Sequence, residues 1–196
     1  MRLNTLLRRV PVRVVWLAGL IPLAWVVWLV VSGAIGVDPV KEIEHRLGKI
    51  ALWFLCGGLA ITPLRRFAGV DLLRYRRAIG VTAFCYVVLH LLGWLVLDMG
   101  LLWSQAVSDL VRRPYLIFGI TSLLILVPLA VTSNNASIRR LGRNWRRLHR
   151  LVYPAVALGV LHYLWQMKVV QPQGWLWLAV FVVLIGLRLV PRTGQA

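Results

Sequence analysis

Apolar residues dominate six stretches of the chain: 14–35, 47–63, 78–97, 115–132, 150–167 and 173–190. Short segments rich in arginine separate them. A helix needs about 20 mostly apolar residues to cross a bilayer; the second and fourth stretches are short for it. The pattern predicts an all-α fold, a polytopic membrane helical bundle of six transmembrane helices. The six stretches take up most of the chain and leave no space for a soluble catalytic domain. One domain over residues 1–196 is therefore expected.

Composition agrees and adds a puzzle. Hydrophobic types make up 60% of the chain, charged types 15%, and the mean hydropathy is +0.77. A soluble domain averages roughly 45–50% apolar and about 25% charged. Yet Lys and Arg number 23 against 6 Asp and Glu, a net charge of +17. Such a charge alone would suggest nucleic acid. Its distribution says otherwise. Four Arg precede the first stretch, five lie in loop 64–77 and five in loop 133–149, joined by Arg150, Arg188 and Arg192. The alternate segments hold only Lys41, Arg46, Lys49, Arg112, Arg113 and Lys168. The positive-inside rule then places both termini in the cytoplasm. The charge reads as an orientation signal in a lipid bilayer, with no nucleic acid as partner.

The basic N-terminus resembles a signal-peptide n-region. The apolar run after it is too long and lacks a small-residue cleavage site, so a retained anchor is expected. In segment 136–149, Ile138, Leu141, Trp145 and Leu148 recur at helical spacing among five arginines. That predicts an amphipathic helix on anionic lipid, and the same face suits the phosphate of a nucleotide or flavin. Cys56 and Cys85 both fall within spans and read as small apolar residues.

Ionisable residues inside spans are costly and point to function. His90 lies in the third span and His162 in the fifth, both running outward from the cytoplasm. Each is 12 residues into its span, roughly 18 Å at 1.5 Å per residue. Two imidazoles at one depth on two helices are what a bis-histidine haem site needs. Gly80, Ala83, Val87 and Gly93 around His90, and Ala155, Leu158 and Gly159 before His162, leave space for a flat macrocycle or let helices pack closely. Zinc would need further ligands at that depth, and a proton path would need Asp or Glu within the spans. A hydrogen bond between helices stays open as the plain alternative.

A second site is less complete. The 72 residues that separate His90 from His162 also separate Arg77 from His149. Arginine has no lone pair to offer a metal, so Arg77 suits a propionate or phosphate. His149 and His162 lie about 220° apart around an ideal helix; a common face needs a kink, which Pro154 can supply. His45 falls on the opposite side of the membrane from His149.

Several stretches together resemble a known family. They are DPVKEIEHRLGKIALWFL at 38–55, ITPLRR at 61–66, YRRAIG at 75–80 and VLHLLGW at 88–94, then RRPYLIFGITS at 112–122, TSNNASIRRLGRNWRRLHRLVY at 132–153 and HYLW at 162–165. In this order they are similar to the MsrQ-like haem-binding membrane subunits of periplasmic methionine sulfoxide reductase systems, within the ferric-reductase-like transmembrane superfamily. The resemblance implies a b-type cytochrome of the bacterial inner membrane. It implies axial ligands at His90 and His162 and a third haem-associated histidine at His149. It implies electron delivery to a periplasmic molybdenum-containing methionine sulfoxide reductase, from the quinone pool or a cytosolic flavin reductase, with FMN as an associated cofactor. Members of the superfamily often carry two histidines on each of two helices, and here Arg77 stands at the fourth position. The chain has no Gly-rich dinucleotide fingerprint, so the donor is a quinol or a docked partner. A related ferric or quinone reductase with another acceptor, and a haem-free membrane scaffold, are the competing readings. The acceptor is expected on loop 36–46, 98–114 or 168–172, and 98–114 also reads as an interfacial helix.

Overall fold

A computed structural model describes residues 2–167 and 169–190. Lys168 and Arg192, which entered the orientation argument, and the side chain of Arg2 lie outside the described residues. Among those described, all regular structure is helical. The order is α1 (Arg2–Arg9), α2 (Val12–Ala18), α3 (Ile21–Val31), α4 (Pro39–Phe67), α5 (Arg76–Leu92), α6 (Trp103–Arg112), α7 (Pro114–Val131), α8 (Asn135–Leu141), α9 (Arg143–Leu148), α10 (Val152–Trp165) and α11 (Pro172–Leu189). Five segments are long and apolar enough to cross a membrane: Val12–Val31, Pro39–Phe67, Leu73–Asp98, Pro114–Val131 and Pro172–Leu189. Stretch 150–167 forms α10, whose 14 residues are shorter than those five, behind a 3-10 turn at His149–Leu151.

Local chemistry sets the boundaries. α4 starts well before the apolar run at 47–63 because Asp38 caps it, accepting from the Lys41 amide at 3.2 Å, with Pro39 in the first turn. Residues 39–46, read from sequence as loop, are therefore helix. Twenty-nine residues span roughly 43 Å, more than the about 30 Å of hydrocarbon, and both ends of the helix are charged. The first span is broken between α2 and α3. There the Gly19 carbonyl accepts from the Tyr86 hydroxyl at 2.8 Å, and a Cβ on Gly19 would stand 2.9 Å from Thr82 Cγ2. The amphipathic helix expected over 136–149 is two short helices, since Gly142 adopts φ +50° between α8 and α9.

Contacts set the packing. Gly48 lies against His90 and Gly58 against Ile79, so α4 and α5 are antiparallel. Gly119 lies against His162, and Ser122 donates to the Ala155 carbonyl at 2.8 Å; α7 and α10 form a second antiparallel pair. The two pairs meet in a core of Leu52, Leu55, Ala83, Leu126, Ala155 and Val156. Ala83 and Ala155, read as possible cofactor space, are fully buried here and let the pairs approach. α11 covers this core, with Trp177 edge-on to Trp53 at 5.0 Å and Arg188 donating to the Leu59 carbonyl and Tyr153 hydroxyl.

Candidate functional site: two cavities between the helix pairs

The larger cavity, about 410 Å³, lies between α4, α5, α7 and α10, with α6 across its mouth. That is within the usual range for small-molecule and cofactor sites, about 300–1,000 Å³. His90 and His162 face each other across it, ring centroids 6.0 Å apart and planes at 67°. The two rings are held by the same device. His90 Nδ1 is 2.9 Å from the Glu44 carbonyl, and His162 Nδ1 is 2.8 Å from the Tyr115 carbonyl. A carbonyl only accepts, so each Nδ1 carries the proton and each Nε2 keeps its lone pair.

One turn beyond each carbonyl stands a glycine. A Cβ on Gly48 would lie 3.2 Å from His90 Cε1 and Nδ1; on Gly119, 3.0 Å from the same atoms of His162. A side chain at either place would push its imidazole off the backbone. Glu44 and Tyr115 are 71 residues apart, as are Gly48 and Gly119, while the histidines are 72 apart. The chain thus builds one carbonyl–glycine–histidine unit twice, although no fixed period is evident along it.

Sequence reasoning found the histidines and missed the units beneath them. The near-constant separation was the available signal. Of the small residues it flagged, Val87 and Gly159 line this cavity. Gly93 packs on Leu47, and Gly80 lines the other cavity. His45 is exposed at the mouth of the paired-histidine cavity, beside Lys41 and Lys49. α6 carries the 98–114 segment; its Trp103, Ala106, Val107 and Leu110 close the mouth.

The smaller cavity, about 260 Å³, lies towards the other ends of the same helices and holds His149, Arg76, Arg77 and Trp145. Arg77 and His149 thus line one cavity. Between the two histidines the helix is preceded by a 3-10 turn at His149–Leu151, ahead of Pro154. Here the imidazole is held differently. Trp145 stacks on it at 3.9 Å, and its Nε2 is 3.1 Å from Thr132 Oγ1. The Thr132 proton goes to the Pro128 carbonyl at 2.6 Å, so the hydroxyl accepts from Nε2. Burial, and after it the Arg76 cation, hold the His149 pKa below the ordinary imidazole value. Arg77 donates to Asn135 Oδ1 at 2.6 Å.

Fold and site together define a polytopic helical membrane protein with two imidazoles converging in a cavity of cofactor size. Residues 46–160 match the family described as ferric reductase like transmembrane component. Similar relatives bear the name protein-methionine-sulfoxide reductase heme-binding subunit MsrQ. That of Agrobacterium fabrum C58 is 46% identical over 175 residues, 89% of this chain and 81% of that protein. That of Rhizobium meliloti is 48% identical over 177 residues, 90% and 82% of the two chains. That of Brucella anthropi is 50% identical over 157 residues, 79% and 71%. The chain belongs to the MsrQ family of ferric-reductase-like transmembrane proteins and is a multi-pass protein of the bacterial inner membrane.

Proposed function

We propose that this chain is a b-type cytochrome subunit that carries electrons across the inner membrane to a periplasmic molybdenum-containing protein-methionine-sulfoxide reductase. The chain acts as one domain with six crossings, α10 being the fifth, and with both termini in the cytoplasm. The paired-histidine cavity is then the outer one and the His149 cavity the inner.

One observation carries this reading: two imidazoles with Nδ1 tied to backbone carbonyls and Nε2 free, 6.0 Å apart in an apolar cavity. Ring centres 6.0 Å apart would leave space for one metal ion between the two imidazoles, a metal–nitrogen bond being roughly 2.0 Å. Among the described residues no group of three or more His, Cys, Asp and Glu is placed to hold a metal. An ion bound here by two nitrogens has to bring its remaining donors with it, as haem iron does. Haem would supply a one-electron iron couple here, and His90 and His162 are the residues that would hold it. The names of the relatives, heme-binding subunits, support the same assignment.

At the inner cavity, His149 is the haem-associated residue and Arg77 the partner of an anionic edge, a propionate or the phosphate of FMN. Electrons enter on this side from the quinone pool or a cytosolic flavin reductase. The test uses purified, chemically reduced protein mixed with a periplasmic methionine sulfoxide reductase and an oxidised substrate protein. Reoxidation of the haem that depends on both additions is expected. Reoxidation by ferric chelates or quinone alone, with none by the reductase, would favour a related reductase with another acceptor. A colourless preparation from haem-replete cells would overturn the cytochrome assignment.

A further inference from the structure

Among the described residues, Lys49 is the cation of the paired-histidine cavity wall that no ion pair holds. It follows Gly48, on which His90 rests, so its side chain starts at the level of that imidazole. It is half-buried and lines the cavity. The four ion pairs among the described residues do not include it: Lys41 pairs with Asp38, Arg46 with Glu42, Arg65 with Asp71 and Arg113 with Asp109. Glu44 and Asp98 share the cavity wall, but neither carboxylate lies within 4.0 Å of Lys49. A half-buried ammonium inside a membrane protein is costly unless an anion meets it.

We propose that Lys49 binds a carboxylate of the macrocycle held between His90 and His162. This rests on the haem reading above. The cofactor supplies the missing chemistry, since haem b carries two propionates on one edge of an otherwise apolar ring. Direction supports the match. Side chains on a helix lean towards its N-terminus, which for α4 is the mouth of the cavity. The lysine stem can lie along apolar wall while its charge reaches towards water. The carboxylate edge therefore turns to the mouth, where His45 stands one turn further out on the same face of α4. A headgroup anion of the outer leaflet offers similar chemistry, and the experiment separates the two.

Apoprotein from haem-deficient cells, in lipid-free detergent, is titrated with haem b and with its dimethyl ester, which keeps iron and ring but has no carboxylate. The Soret band reads binding. The wild type is expected to bind haem at least about tenfold tighter than the ester, the range of a charge-assisted hydrogen bond. Lys49→Met should weaken haem binding about tenfold and leave ester binding unchanged; Lys49→Arg should keep the wild-type ratio. An unchanged haem-to-ester ratio in Lys49→Met, the result expected if a lipid anion is the partner, overturns this inference alone. Because a ratio is compared within each protein, partial misfolding of a variant does not mimic the expected result. Failure of the wild type to bind either macrocycle overturns the histidine reading and this inference with it.

Discussion

The two cavities are built from the same four helices, and they treat their imidazoles in opposite ways. In the larger, each ring spends Nδ1 on a carbonyl and leans on a glycine, leaving Nε2 free. In the smaller, His149 spends Nε2 on Thr132 and is stacked under Trp145. The facing position there is taken by Arg76 and Arg77, which offer charge and no lone pair. A duplicated unit gives a symmetric pair of imidazoles. Arginines beside a single histidine leave the smaller cavity lopsided. The difference teaches that backbone support, as well as the presence of histidine, decides which imidazole keeps Nε2 free.

Substitutions at the glycines challenge this contrast most strongly. Gly119→Ala places a methyl 3.0 Å from the His162 ring, and Gly48→Ala places one 3.2 Å from His90. Forced repacking costs about 1–3 kcal/mol, so haem affinity should fall roughly ten- to a hundredfold. The loss should be greater at Gly119. Haem titration of apoprotein reads it, and unchanged affinity in both variants would remove the glycines from the site. Next in size, His149→Ala should keep the low-spin spectrum of the histidine pair intact while lowering total haem or flavin content. Loss of the low-spin signal in that variant would mean that the cavities are not separate sites.

Smaller effects sharpen the inner site. Thr132→Val removes the acceptor of His149 Nε2 and should cost about 1 kcal/mol in thermal stability, with no change at the outer pair. Gly80→Ala is the mildest. A Cβ there meets nothing within 4 Å, so helix propensity alone predicts a gain of up to about 1 kcal/mol. Loss of the low-spin signal of the histidine pair from Gly80→Ala would contradict the division of roles between the glycines.

The bundle and the histidine pair were legible in the sequence because lipid imposes a coarse rule. Long apolar runs must be helices, and His90 and His162 stand out where few other residues ionise. The supporting residues obey no such rule. Gly48 and Gly119 look like any glycine in an apolar helix until the imidazole on each is in view. The carbonyls of Glu44 and Tyr115 belong to the backbone, which side-chain chemistry does not reveal. Boundaries failed where the decisive group sat outside the apolar run. Asp38 and Pro39 extend α4 by two turns into a charged segment, bringing Glu44 and His45 onto one helix with the glycine. Gly142 breaks an amphipathic pattern that is otherwise continuous.

The most direct test is haem content and low-temperature electron paramagnetic resonance on His90→Ala, His162→Ala and the wild type, purified alike. The wild type should give a low-spin ferric signal of two imidazole ligands, and each variant should lose that signal with its share of haem. A full haem complement with the same low-spin signal in both variants would contradict the claim that these two imidazoles hold the metal.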